Sequence, residues 1–310
     1  MVCVFVVVYW LATYLCRVNL PKLMFVGGHR PYNPEPVIYP HFEEFEVSGL
    51  HVTVVHTPPE KRTRHELHSE SVHGQKHLFY CHGNDGDLSR WLNVVTSGTR
   101  LYQHVDTVCL WDYRGYGRSA GKLDSMDSCW SDLRHDVAQV YRWFVKHVDL
   151  QAVDKMYLYG RSLGAWTTAA LFYQLELHET RSLERILLET PLCHLHHTLH
   201  HAVSSYLPQS WLQRVAPFPE EESVQYLLYT SQNRLEADVV PVSIISAGQD
   251  DLVPTDDVNQ LQKHNWCTLL QLDRCHHNNV NQTHVYQVWL QHALSLKRSK
   301  TQQDLSCQKF

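Results

Sequence analysis

The chain is 310 residues long and 44% hydrophobic, enough to bury a sizeable core as one large domain or two small ones. Its net charge of −5, without any long basic run, argues against nucleic-acid binding. Nine cysteines lack metal-ligand spacing, and Cys81 and Cys109 sit inside apolar runs, so a reducing compartment fits better than a disulfide framework.

The first element differs from all others. MVCVFVVVYWLATYLC has no charged side chain before Arg17. It is short for a bilayer span of about 20 apolar residues, but Tyr9, Trp10 and Tyr14 suit an interface. Residues 1–25 are therefore expected to form a membrane segment. A cleaved signal peptide would need a basic n-region and a small-residue cleavage site, both missing here. The plainer rival is a buried strand or core helix. Arg17, Lys22 and Arg30 follow the apolar run, which places the remainder of the chain on the cytosolic side.

Residues 26–40, rich in glycine and proline, are expected to be a linker. FEEFEVSG and HVTVVHTP predict a strand pair, followed by a polar loop. From there short apolar runs alternate with helical stretches: HLFYC, then a helix around LSRWLNVVTSGTRLYQ, then DTVCLWD, a glycine-rich loop and a second helix. On that second helix Trp130, Leu133, Val137, Val140, Tyr141 and Phe144 share a face, with Asp132, Arg134 and Asp136 mostly elsewhere. KMYLYG is a further run, followed by a helix bearing Trp166, Ala169, Ala170, Tyr173 and Leu177. RILLET, VPVSIISAG and WCTLLQLD complete the strands, and a last helix spans about Val280 to Ser295. Continuous apolar strands alternating with amphipathic helices predict an α/β fold with a mostly parallel sheet covered on both faces. The predicted domain spans residues 41–297, interrupted at about 193–236 by a small helical cap. A polar tail follows over 298–310.

GRSLG (160–164) lies at a corner between strand and helix. Gly160 and Gly164 would permit the tight reversal, and Ser162 would project its hydroxyl at the N-terminal end of a helix. A serine hydroxyl needs a base to take its proton and an acid to orient that base. SAGQDDLVP supplies Asp250 and Asp251 after one strand; DRCHHNNV supplies His276 and His277 after the next. The order serine, acid, histidine is the one expected for this layout, with each group at a strand C-terminal end. Asp250 is selected from its distance to Val253, although counting from Gly248 favours Asp251; His277 is preferred over His276 by resemblance to a known family, in which an asparagine follows the histidine as Asn278 does here. The backbone N–H groups of Leu163 and of Asn84, in FYCHGNDGD, are placed to stabilise an oxyanion.

Taken together, HGN (82–84), DYRGYGRSAG (112–121), GRSLGA (160–165), DDLVP (250–254) and HHNN (276–279) resemble the α/β-hydrolase serine hydrolases. The chain is similar, over roughly residues 40–295, to membrane-anchored α/β-hydrolase-domain proteins such as depalmitoylases and lysophospholipid or monoacylglycerol hydrolases. The resemblance implies the α/β-hydrolase fold and cleavage of esters or thioesters through an acyl-serine, with no metal or organic cofactor. It implies Ser162, Asp250 and His277 as catalytic residues and a lipid, acylated or small-molecule substrate. The chain departs from the family in its short acid loop, in Cys275–His276 before the histidine, and in having only Cys3 and Cys16 near its start. A peptidase or amidase on the same scaffold, and a catalytically silent binding module, remain as alternatives.

Three further patterns carry less. His197 and His201 have i, i+4 spacing that could hold a metal, but no acidic partner lies near them in sequence. The terminal CQKF resembles a prenylation box without its aliphatic positions. Asn281-Gln282-Thr283 matches a glycosylation acceptor but would begin a packed helix. The N-terminal expectation has a direct test in cell fractionation. The intact chain should enter the membrane fraction and a chain lacking residues 1–25 should not; equal solubility of the two would overturn it.

Overall fold

A computed structural model of the protein describes Phe25 and residues 41–57, 74–123, 128–203, 220–236, 238–296 and 298. The expected membrane segment and linker therefore lie outside the described residues, apart from Phe25, as do the polar loop after His56 and the terminal CQKF. No helix among the described residues is long and apolar enough to cross a membrane.

The sheet opens with a hairpin, β1 (Phe42–Val47) and β2 (Leu50–His56). Its two-residue turn takes positive φ at both positions, Ser48 at 53° and Gly49 at 83°, the turn geometry that matches the twist of paired strands. There follow β3 (Lys76–Cys81), α1 (Leu88–Asn93), β4 (Thr107–Trp111), α2 (Cys129–His147), β5 (Lys155–Arg161) and α3 (Leu163–Gln174). The second half holds β6 (Leu183–Glu189), α4 (Leu195–Val203), α5 (Val224–Arg234), β7 (Val242–Ala247), α6 (Thr255–Leu261), β8 (Cys267–Leu272) and α7 (His284–Ser295).

The eight strands form one sheet in the order β1-β2-β4-β3-β5-β6-β7-β8. Only the β1–β2 and β2–β4 pairings are antiparallel. From β3 the chain goes outward to β4 and then crosses back to β5 on the other side of β3. That reversal opens a crevice at the strand C-terminal ends, where such sheets bind ligands.

Central strands carry continuous apolar runs because each feeds two cores. In β3, Phe79 and Cys81 belong to the core beneath α2 and α3, while Leu78 and Tyr80 belong to the core beneath α1 and α7. β5 repeats this with Met156 and Leu158 on one side and Tyr157 and Tyr159 on the other. The face expected for α2 is the buried one, from Trp130 through Phe144. Asp136, expected mostly outside that face, is also buried: Arg114 donates to both its carboxylate oxygens, at 2.7 and 2.6 Å. Helix α3 stops at Gln174, so Leu177, read above as part of it, lies beyond the helix and is exposed. The last helix starts at His284 rather than Val280; Thr283 caps it by accepting the Tyr286 N–H at 3.1 Å.

Of the segment 193–236, α4 and α5 are described, whereas residues 204–219 lie outside the described residues. Helix α5 buries Val224, Leu227 and Leu228 in the core with α3. The Trp166 indole N–H donates to the Glu222 carbonyl at 2.7 Å. This end of the segment therefore covers the sheet. Arg298, expected to open the polar tail, instead donates to the carbonyls of Thr180 and Leu183, each at 2.9 Å, and of Val239 at 3.0 Å.

Strand β3 and helix α3 approach so closely that only glycine fits between them. A Cβ on Gly164 would lie 2.0 Å from the Cys81 carbonyl oxygen and 2.6 Å from that of His82. One on Gly160 would lie 2.5 Å from the Gly164 carbonyl oxygen. Backbone cannot yield as a flexible side chain can. Gly164→Ala is expected to cost about 3 kcal/mol or more in urea unfolding. Gly98→Ala, where an added Cβ meets nothing within 4 Å, serves as the control and should stay near wild type.

Candidate active site

Ser162 stands between the last residue of β5 and the first of α3, with φ 52° and ψ −114°. Few L-residues adopt that conformation without a compensating frame. Here the Ser162 N–H donates to the Glu189 carbonyl at 2.9 Å, and its own carbonyl accepts from Ala165 at 3.0 Å and Leu192 at 3.2 Å. The corner is thus tied to β6 as well as to its own helix, and the hydroxyl is directed out over the sheet rim.

Above that rim lie the loops after β7 and β8. The His277 Nε2 is 2.9 Å from the Ser162 Oγ, and its Nδ1 is 2.8 Å from Asp250 Oδ2 and 3.1 Å from Oδ1. Both side chains are almost fully buried, at 3% and 4% exposure. Asp250 Oδ1 also accepts the backbone N–H groups of Leu252 at 2.9 Å and Val253 at 2.8 Å. These bonds orient the carboxylate before any histidine reaches it. Asp251 and His276 are exposed and stand outside this arrangement. The two loops are also laced together by the Gln249 N–H donating to the Cys275 carbonyl at 2.9 Å.

The turn carrying Asn84 rests against the first turn of α3, as the close approach of Cys81 and His82 to Gly164 requires. Leu163 opens that helix, where backbone N–H groups lack an intrahelical partner. Asn84 and Leu163 are thereby brought to the same stretch of rim. Aromatic residues of the glycine-rich loop hold the turn: Tyr113 Oη donates to the His82 carbonyl at 2.5 Å and Tyr116 Oη to Asn84 Oδ1 at 2.6 Å. The His82 ring stacks between Trp91 and Tyr113, at centroid distances of 5.9 and 4.2 Å. Beneath it the fully buried Asp112 accepts the Leu88 N–H at 2.8 Å, fixing the start of α1. Burial opposes charge on Asp112, but His51 and His82 outweigh it and hold the carboxyl below its ordinary range. Burial pushes the neighbouring Cys81 thiol up to about 12, which keeps it protonated and unreactive.

The largest feature that the sequence did not announce is a buried polar cluster beside Ser162. Arg161, 5% exposed, donates through Nε to Glu189 Oε1 at 2.9 Å. Tyr159 Oη donates to Glu189 Oε2 at 2.6 Å and lies 2.7 Å from Tyr286 Oη. Burial and the Glu189 charge both push the Tyr159 hydroxyl well above its usual range, so it remains a neutral donor. The only local signal was a charged residue closing each of two apolar strands.

For metals, the i, i+4 pair is not gathered around one ion. His197 Nδ1 is 2.8 Å from Asp257 Oδ1, whereas His201 is exposed. Among the described residues one set, Glu43, His56 and His147, brings three donor atoms within 4.8 Å of one another. His56 pairs with Thr107 at the start of β4, so this set lies at the opposite rim from Ser162.

The family model described as serine aminopeptidase, S33, matches residues 73–226. An esterase of Pyrococcus furiosus shares the fold at a TM-score of 0.59 and 16% identity, covering 87% of this chain and 99% of its own. An alpha-beta hydrolase of Vibrio vulnificus gives 0.63 at 11% identity, covering 86% and 88%. An uncharacterized protein of Acanthamoeba polyphaga mimivirus is 24% identical over 141 residues, which are 44% of this chain and 45% of that protein. The chain thus spans less than half the length of this curated relative. Its sheet and helices are those of the α/β-hydrolase fold, and residues 73–226 within it are similar to the serine aminopeptidase, S33, family.

Proposed function

We propose that the protein is a serine hydrolase that cleaves carboxylic ester or thioester bonds through an acyl-serine. The observation that carries this is the unbroken series Ser162 Oγ, His277 Nε2, His277 Nδ1 and Asp250, with each step at 2.9 Å or less. His277 Nε2 takes the Ser162 proton as Oγ attacks the acyl carbon. Asp250 accepts from Nδ1–H, keeping Nε2 free as the acceptor and stabilising the imidazolium that forms. The backbone N–H groups of Leu163 and Asn84 receive the carbonyl oxygen as it gains charge, an interaction worth about 3–4 kcal/mol per donor in related chemistry. His277 then protonates the leaving alcohol or thiol. In the second half, water gives a proton to Nε2 and attacks the acyl carbon, and the same proton returns to Ser162 as the acid departs. No step requires a metal or organic cofactor.

Acylated lipids or lipid-modified chains are the proposed substrates, in keeping with the apolar run at residues 1–25 and its proposed membrane role. A second reading, hydrolysis of peptide or amide bonds, draws support from the aminopeptidase description of the matched family.

A fluorophosphonate probe should label the wild-type protein and leave Ser162→Ala unlabelled; an unlabelled wild type would favour a silent binding module. Asp250→Asn should lower turnover on the order of 10⁴-fold by stabilising the wrong imidazole tautomer. Asp251→Asn should retain nearly all activity, and the reverse result would reassign the acid. Matched acyl esters, acyl thioesters and aminoacyl amides, compared by kcat/KM, decide between the two substrate readings.

A further inference from the structure

We infer that Arg161 is a positioning residue, holding the histidine loop in register with the nucleophile corner. This rests on the serine-hydrolase reading above. The site is assembled from two pieces. The corner at Ser162 and the turn at Asn84 come from β5 and β3, in the middle of the sheet. The acid and histidine come from β7 and β8, with β6 lying between the two pieces.

Besides the Ser162–His277 contact, Arg161 joins them by two hydrogen bonds. Its Nη2 donates to the His277 carbonyl at 3.3 Å and to Asn278 Oδ1 at 3.2 Å. The same guanidinium is fixed from below by Glu189 and lies over the Trp91 ring, its Cζ 4.9 Å from the centroid. Its Nη1 lies against Gly83, where an added Cβ would be 3.3 Å away. One rigid planar fork therefore reaches the histidine loop, the turn before Asn84 and β6.

The chemistry selects arginine. A lysine would keep the charge, but its single ammonium could not pair with Glu189 through one edge and hold two oxygens of the histidine loop with the other. Burial works against the cation, yet Glu189 outweighs it and Arg161 stays protonated. The loop is thus held by a donor that does not titrate in the working range of an imidazole.

The test compares wild type with Arg161→Lys, with the charge-neutral pair Arg161→Gln/Glu189→Gln, and with Asn278→Ala, whose exposed side chain is a milder lesion. The first readout is the low-field proton signal of the His277 Nδ1–H, assigned by its loss in Asp250→Asn. It should broaden or shift in Arg161→Lys and in the neutral pair, because the ring no longer sits over Ser162. The second is hydrolysis of a small activated ester. We expect kcat to fall on the order of 10²-fold, the cost of a misplacement near 1 Å. KM should stay within about twofold, since substrate contacts are untouched. Asn278→Ala should fall between these variants and wild type. An unchanged signal and unchanged kcat in both Arg161 variants overturn the inference. Should Arg161→Lys fail to fold, the neutral pair decides alone, with Asn278→Ala as its check. A wild type that neither labels nor hydrolyses, while its His277 signal still responds to Arg161, would sink the hydrolase reading and leave the positioning role standing.

Discussion

One strained corner carries the rest of the site. Ser162 holds a backbone conformation that costs an L-residue about 1–3 kcal/mol. Such a residue relaxes unless the surroundings define it from several directions at once. Here β6 takes the Ser162 N–H through Glu189, α3 and the segment after β6 donate to its carbonyl, and β3 blocks lateral movement at Gly164. Relief of the strain would require moving three strands together. The hydroxyl is consequently held out over the rim, where it can meet an imidazole, instead of folding back onto the helix. The absence of a Cβ at 160 and 164 is as much a part of the site as the serine.

A second pattern concerns where this protein keeps its buried charges. A buried ion pair is weak support for stability, because desolvation cancels most of the attraction. Yet buried and half-buried charges recur beneath this rim, and each is bonded to backbone or side chains of a loop there. Asp112 holds the start of α1 and neighbours the His82 turn. Arg114 and Asp136 bind the glycine-rich loop to α2. Arg161 and Glu189 reach the loop of His277. Apolar packing could stabilise these regions at lower cost, but it is non-directional and would not select one loop conformation. Directional bonds between buried groups do select one.

Much of this was legible in the residues. Strands buried on both faces show continuous apolar runs, and α2 shows its core stripe, because burial repeats with the local period of the backbone. GRSLG is legible for the same reason: a corner needs glycines at fixed offsets. What escaped depends on partners far away in sequence. Asp136 points inward because Arg114, 22 residues earlier, meets it. His197 does have an acidic partner, Asp257, but 60 residues away. Asp250 and Asp251 differ by one step in an irregular loop, where no period exists to tell them apart. Two backbone N–H groups, from Leu252 and Val253, orient one carboxylate and leave its neighbour in solvent. Local pattern reports local geometry, and loop direction is a tertiary property.

The same distinction explains how the site is put together. The loops of Asp250 and His277 form one unit, since β7 and β8 are adjacent, the loops share the Gln249–Cys275 bond, and Gly248 packs tightly on Asp273. The Ser162 corner and the Asn84 turn form another, since β3 and β5 are adjacent and α3 is wedged against both. Neighbouring strands keep each unit rigid through their ladders. Between the units lies β6, and a sheet that twists from strand to strand offers no guarantee that the loops of β5 and β8, three strands apart, meet within hydrogen-bond distance. A contact as short as that between Ser162 and His277 therefore calls for a brace across β6. Glu189, at the end of that strand, is placed to anchor one: its backbone carbonyl holds the Ser162 corner and its carboxylate holds the arginine that reaches the histidine loop. The residue between the two units is thus bonded to both.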